Sequence, residues 1–427
     1  MTVVTEQNRR KALIGSAVGS AVEWYDYFLY GTMASIVFGP LFFPSKDPVS
    51  SQMLALASFA LAFLIRPVGG IIFSHIGDRI GRKKTLVVTL SLMGFATFGI
   101  GLMPTYDSIG YLAPVILTLL RLLQGLALGG EWGGGLLMAV EYAPENKRGL
   151  YGAIPQVGAL IGLALGNLTA SGANSIFTNE EFLSYGWRIP FILSILLVMF
   201  GLWIRNKVEE TPSFKKVKAQ NQTAKIPLFR VFQRHWKAIL ITIGAKFLET
   251  STFFTFATFT LGYAISLGFS RGLALNAILI AAVVAIPFML IVGSVSDRIG
   301  RKKMYLFGAV CLIAYIIPYF WMLNQKSPTL LVTAIVLGFG VIWTFYGSVL
   351  GTLFAESYSA DVRYTGVSLG YQVGAALVGG PAPLIGTWLL QKYQGDYMPV
   401  GIFIIGCAFI SIIAVCFAKD KHNAALD

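Results

Sequence analysis

Seven charged side chains lie inside long apolar stretches of this chain: Glu23, Asp26, Arg66, Arg121, Glu131, Lys246 and Glu249. A charge held in such surroundings is costly unless it faces a cavity or a partner, so each is a candidate for function. Glu23, Asp26 and Tyr30 are spaced i, i+3, i+7 and share one helical face. A carboxyl in that position can take up a proton as water withdraws, which is the behaviour of a proton carrier. The competing reading is a permanent ion pair that fixes helix packing. Asp26, the deeper of the two acids, is the first candidate for proton coupling and Glu23 the second.

Arg121, Gln124, Leu128 and Glu131 share a face by the same spacing. The Arg121 guanidinium offers a bidentate fork to a carboxylate, either that of a bound acid or that of Asp26. Glu131 is balanced between a structural hydrogen bond near Trp132 and a ligand role. Arg66 precedes Pro67, whose missing N–H frees backbone carbonyls beside the charge; it either binds substrate or satisfies acids of the first span. Lys246 and Glu249 are i, i+3 and can neutralise each other, although a Lys facing a cavity would add a second anion contact. Trp132, Trp343, Tyr346, Tyr371, Gln372 and Gln156 add polar tips and flat apolar surface suited to a small organic ligand. Tyr and Trp also anchor helices at membrane interfaces.

The elements that must hold these groups are membrane helices. Of 427 residues, 56% are hydrophobic and only 12% are charged, with mean hydropathy +0.70. A hydrocarbon core about 30 Å thick needs roughly 20 apolar residues per helix. Twelve segments qualify, at 17–43, 51–74, 85–104, 111–140, 149–176, 187–205, 238–267, 273–295, 304–323, 328–355, 364–391 and 397–418. The fold class expected is an all-α polytopic membrane protein. Glycines and prolines within the spans favour close helix packing, most clearly from Gly125 to Gly135. Cys311, Cys407 and Cys416 show neither metal-ligand nor disulfide spacing and read as packing residues. The first span lacks a cleavage site and is expected to remain in the mature protein.

A net charge of +13 could suggest nucleic acid, but its distribution argues against that. With twelve spans and a cytoplasmic N-terminus, 25 of the 33 Lys and Arg fall on one side. Lys46, Arg188, Arg271, Lys326 and Lys392 fall on the other, and Arg66, Arg121 and Lys246 lie within spans. This is the positive-inside pattern, and it places both termini in the cytoplasm.

The chain is also duplicated. Asp-Arg-Ile-Gly-Arg-Lys-Lys occurs at Asp78–Lys84 and again at Asp297–Lys303, 219 residues apart. A second correspondence pairs Glu141, Arg148 and Gln156-Val157-Gly158 with Glu356, Arg363 and Gln372-Val373-Gly374. A polar connection at 205–237 separates two six-helix bundles, 1–204 and 238–427. Merely fixing topology requires positive charge alone, whereas Asp and Gly are kept in both copies. Asp78, Arg79, Gly81 and Arg82, with Asp297, Arg298, Gly300 and Arg301, therefore read as a cytoplasmic gate latch. Asp78 and Asp297 are placed to cap or pair with a neighbouring helix end. Glu141 with Arg148, and Glu356 with Arg363, supply partners.

The paired loops resemble the signature of the major facilitator superfamily, with Gly293 in its expected place and Ser74 replacing the first-half glycine, which should loosen packing there. Further strings are similar to the metabolite:proton symporter family within it, nearest its shikimate and organic-acid branch. They are Val22-Glu23-Trp24-Tyr25-Asp26-Tyr27, Leu64-Ile65-Arg66-Pro67, Arg121 to Gly125, Gly129-Gly130-Glu131-Trp132-Gly133-Gly134 and Gly186-Trp187-Arg188-Ile189-Pro190-Phe191. The resemblance implies two pseudo-symmetric six-helix bundles in the bacterial cytoplasmic membrane. It implies proton-coupled uptake of a small organic acid, such as shikimate or a di- or tricarboxylate, by alternating access. The proton gradient is the driving force, no cofactor is needed, and one chain surrounded by lipid is expected to suffice. Uptake of a zwitterion such as proline or betaine is the alternative; osmosensing carriers of that kind have a long C-terminal helical extension, whereas only nine residues follow Ala418 here. A pump or membrane enzyme would need a P-loop, a His/Cys metal cluster or a Ser-His-Asp set, and the sequence offers none. A passive channel is a further alternative, but two halves around a midplane site favour alternating access over it.

Overall fold

The structure is a computed structural model that describes residues 5–219, 227–422, 424 and 426. The middle of the expected linker, 220–226, therefore lies outside the described residues, as do 1–4, 423, 425 and 427. Among the described residues, eleven helices are long and apolar enough to cross a membrane. They are α2 (Pro48–Ile80), α3 (Arg82–Leu102), α4 (Leu112–Glu141), α5 (Arg148–Ile176), α6 (Arg188–Asn206), α7 (Pro227–Ser266), α8 (Arg271–Ile299), α9 (Arg301–Asn324), α10 (Pro328–Ser357), α11 (Arg363–Lys392) and α12 (Met398–Cys416). A further long helix, α1 (Glu6–Met33), occupies the place of the expected first span. Its buried face carries Ser16, Ser20, Glu23 and Asp26, which lowers its hydropathy below that of the others. Packing against α4, α5 and α6 replaces the water those groups lose.

Several helices run past their apolar stretches, so the polar connection is shorter than the expected 205–237. Arg205 belongs to the last turn of α6, a short helix spans Pro212–Ala219, and α7 already begins at Pro227. His235, expected at the linker's end, sits at a kink inside α7, with φ −125° and ψ 20°.

Helices α3, α6, α9 and α12 lie outermost and expose large apolar side chains, among them Phe95, Met199, Val310 and Phe409. The two halves meet through α2 against α11 and α5 against α8. Small residues set the approach. Gly125 and Gly129 of α4 leave no room for a Cβ against the α2 backbone. Gly293 of α8 rests on α5, where an added Cβ would lie 2.8 Å from the Gly149 oxygen. Its first-half counterpart Ser74 is fully buried and turns its hydroxyl back to Ile71 O at 3.4 Å, so the serine is absorbed within its own helix. π-helical turns interrupt the chain at Ala34–Phe38 after α1, Thr255–Phe259 in α7, Val336–Ile342 in α10 and Ala375–Gly379 in α11. Such turns loosen the backbone ladder and recur at functional sites.

The start of α1, the stretch after α12 and both charged loops share one end of the bundle, here the basic end. Gly81 (φ +117°) and Gly300 (φ +107°) turn the chain from α2 into α3 and from α8 into α9. A side chain at positive φ costs about 1–2 kcal/mol, before any clash with the Glu210 or Asp420 carboxylate that lies against these glycines. Gly81→Ala and Gly300→Ala should therefore lower the thermal unfolding midpoint of the purified protein. Gly272→Ala, in open space within the first turn of α8, should not; equal midpoints for all three variants would contradict this account.

Candidate substrate and coupling site

Two guanidinium groups and two carboxyls meet in the middle of the first half. Arg121 of α4 is fully buried, its Cζ 4.2 Å from the Tyr30 ring centre and 4.9 Å from that of Phe59. Arg66 of α2 lies between the rings of Tyr27 and Phe63 at 5.1 and 4.9 Å. Aromatic faces stabilise these cations without consuming their N–H donors. Nε and Nη2 of both arginines have no hydrogen-bond partner within the protein. Neither do Glu23 Oε2, Asp26 Oδ1, the Tyr27 hydroxyl, Trp24 Nε1 or Trp132 Nε1. Buried polar atoms are nearly always paired, so this dense group of orphans is the candidate place for a polar ligand.

Asp26 and Arg121 do not touch. Thr97 Oγ1 donates to Asp26 Oδ2 at 2.7 Å and accepts from Gln124 Nε2 at 2.6 Å, and Arg121 Nη1 donates to Gln124 Oε1 at 3.1 Å. The acid and the base are thus joined through two neutral side chains, which leaves the rest of the arginine fork open. Tyr30 keeps its hydroxyl on Ser58 Oγ at 2.8 Å and offers Arg121 only its ring.

The second half completes the enclosure. Lys246 and Glu249 form a buried ion pair, and Lys246 Nζ lies 3.5 Å above the Tyr371 ring. Tyr371 stacks on Trp132 of the first half with centroids 3.5 Å apart. Trp343 Nε1 donates to Glu249 O at 3.2 Å and Tyr346 donates to Thr252 Oγ1 at 3.0 Å, which fixes the α7 face carrying the pair. Gln372 Nε2 donates to Gly129 O at 3.0 Å, and Gln156 Nε2 to Gly347 O at 3.4 Å; both are seams between halves. Away from the basic end, Trp24 packs on Phe253 (5.3 Å) and Phe63 on Phe254 (5.4 Å). The cluster is closed on both sides.

At the basic end the halves are locked by exchanged charges. Asp78 Oδ2 accepts from the backbone N–H and hydroxyl of Thr365 at 2.9 and 2.8 Å, in the first turn of α11. Asp297 accepts from the N–H groups of Gly149 and Leu150 at 2.7 and 3.1 Å, in the first turn of α5. Each aspartate thus caps a helix of the opposite half, where the helix dipole favours negative charge. Glu141 receives Arg363 at 3.1 Å and Arg82 at 3.7 Å; Glu356 receives Arg148 and Arg301, each at 3.3 Å. Each glutamate thus takes one arginine from the repeated loop of its own half and one from the opposite half.

The Major Facilitator Superfamily model matches residues 17–383. The chain belongs to the major facilitator superfamily. It is 37% identical to the shikimate transporter of Escherichia coli (strain K12), over 97% of this chain and 95% of that one. It is 37% identical to the inner membrane metabolite transport protein YhjE of the same organism, over 98% and 96%. The proline/betaine transporter of Salmonella typhimurium (strain LT2) is 31% identical, over 100% of this chain and 86% of that one. In fold it is similar to the proton:xylose symporter XylE bound to 6-bromo-6-deoxy-D-glucose, with TM-score 0.81 and 14% identity over 98% of each chain. This superfamily member is accordingly a multi-pass membrane transporter of small molecules and not an enzyme.

Within the superfamily fold, Glu23, Asp26, Tyr30, Arg66, Arg121 and Gln124 form the centre, with Trp132, Lys246, Glu249, Tyr371 and Gln372 at its border. Glu131 stands apart from the two guanidinium groups, held by Arg205 and by Thr89 Oγ1 at 2.6 Å. In the sequence Arg205 reads as a linker charge because the apolar run ends beside it. Arg79 and Arg298 of the repeated loops are exposed and take no part in the latch. Thr97, Tyr27 and the capping acids Glu210 and Asp420 emerge only from the structure. Glu210 accepts from the N–H groups of Arg82 and Lys83 at 3.0 and 3.2 Å, and Asp420 from that of Lys302 at 3.2 Å. Tyr27 could have been found as the residue one turn beyond Glu23 on the same face; nothing local marks the others.

Proposed function

We propose that this transporter is a proton symporter that takes up a small organic acid, with its basic end and both termini in the cytoplasm. The observation carrying this reading is the pairing of two buried arginines and two buried acids whose remaining polar atoms lack protein partners. Lys246–Glu249 and Arg205–Glu131 neutralise themselves, so the balance of the centre rests on Glu23, Asp26, Arg66 and Arg121. With both acids ionised that set is neutral, and a substrate anion would add an uncompensated charge in a low-dielectric interior. Protonating one acid restores neutrality when the carboxylate binds between the arginines. Binding of proton and anion is thereby coupled by charge alone.

Similarity to the shikimate transporter supports a hydroxylated ring acid. The proline/betaine relatives support a zwitterion, whose cation could lie against Tyr27 and Trp24 beside an ionised Glu23. Purified protein in proteoliposomes under an inward proton gradient should accumulate shikimate or a related acid, and an uncoupler should abolish the accumulation. Flux insensitive to the uncoupler would replace symport by facilitated diffusion, and gradient-driven accumulation of betaine but no acid would favour the zwitterion.

A further inference from the structure

Between the centre and the basic end, the first half contains a second file of buried polar groups that the seam between halves does not cross. Glu131 on α4 receives Arg205 of α6 and Thr89 of α3, and Arg205 Nη1 also donates to Leu86 O at 2.6 Å. Arg205 lines a cavity of about 10 Å³ together with Gly15, Ser16 and Lys83, room for one water. On α1, Gly19 rests against Arg205 and Glu131; a Cβ there would lie 3.2 Å from Glu131 Oε1. Glu23 follows one turn further along the same face, with Oε2 unpartnered. Glu23, Glu131, Arg205 and Ser16 thus lead from the centre to Lys83, whose Nζ reaches Asn206 O at 2.8 Å on the basic end.

We propose that the coupled proton leaves through this file, inside the first half, while the substrate leaves through the seam. The inference rests on the symport reading above. The proton passes from the Glu23 carboxyl to the Glu131 carboxylate, then to water beside Ser16, and out past Lys83. Arg205 keeps its charge throughout and regains its partner when Glu131 ionises again. Glu131 is faced by Arg205 of α6, Thr89 of α3 and Glu23 of α1, and Arg66 of α2 lies near Glu23. Tyr364 of α11 faces Glu131 across the seam, with its hydroxyl donated to Gly130 O at 2.5 Å, so its proton is not available to Glu131. Separate routes let the proton depart without waiting for the latch.

The test uses the full-length protein in proteoliposomes and measures gradient-driven accumulation and gradient-free counterflow. The probe is whichever of shikimate, a dicarboxylate or a tricarboxylate the wild type accumulates. Absence of gradient-driven accumulation in the wild type would remove the symport reading and this route together. Glu131→Gln should reduce accumulation by roughly 10²-fold, the scale of losing a positioned proton-transfer group, with counterflow within about threefold of wild type. Glu131→Asp should restore part of the loss. Because Glu131→Gln strips Arg205 of its counter-ion and can impair folding, Ser16→Val provides a second arm: it fills the small cavity, leaves the ion pair intact, and should slow accumulation but not counterflow. Wild-type accumulation in either folded variant, or equal loss of accumulation and counterflow in both, would overturn the route while leaving symport standing.

Discussion

Arg121→Lys should weaken binding of the transported acid by roughly 10- to 100-fold, the worth of one charge-assisted bidentate contact. Lysine keeps the positive charge but not the fork. It cannot bond Gln124 Oε1 while presenting two further parallel donors to a carboxylate, as the guanidinium does from its place over the Tyr30 ring. The Asp26–Thr97–Gln124–Arg121 chain predicts a second effect of the same change. Gln124 would be freed to reorient, altering the hydrogen bond that Thr97 gives Asp26, so the pH dependence of uptake should move as well. Equilibrium binding and initial uptake rates across pH test both. Wild-type affinity with an unchanged pH profile would show that Arg121 only packs the bundle.

Asp78→Asn is expected to act on turnover rather than recognition. The substitution removes the negative charge from the first turn of α11 and takes from Arg82 one of its two ion-paired carboxylates. A loss of about 2–3 kcal/mol from the closed basic end is reasonable for a buried capping carboxylate, enough to shift the balance of states by roughly 30- to 150-fold. Initial uptake should fall more than about tenfold, while affinity at the distant centre changes by less than about threefold. Asp297→Asn should act in the same direction through α5. Normal initial uptake in both variants would remove the latch from the mechanism.

Much of this architecture is legible in the amino-acid sequence, and the reasons are physical. Spans announce themselves because lipid demands about 20 apolar residues, and the repeat is visible because charged landmarks recur in order. Internal likeness, however, pairs each residue with its own counterpart, not with what it touches. Glu141 therefore points to Glu356 in sequence, although its contact is Arg363. Hydropathy misplaces a helix end wherever the apolar run stops before the helix does, which hides Arg205 in a supposed loop. The two-residue bridge through Thr97 and Gln124 is illegible because threonine and glutamine carry no charge to flag them. Arg79 and Arg298 look equivalent to Arg82 and Arg301 in composition, but they sit before the Gly81 and Gly300 turns, at the exposed ends of α2 and α8.

The exchanged pairs at the basic end have a consequence for how that end can open. Each glutamate has one arginine from its own half and one from the other: Arg82 and Arg363 for Glu141, Arg301 and Arg148 for Glu356. When the halves part, the domestic partner stays and only the foreign one departs into water, where a guanidinium is readily hydrated. Opening is then a hand-over and not a rupture, because no carboxylate is ever stranded. The two end states can then lie close in energy.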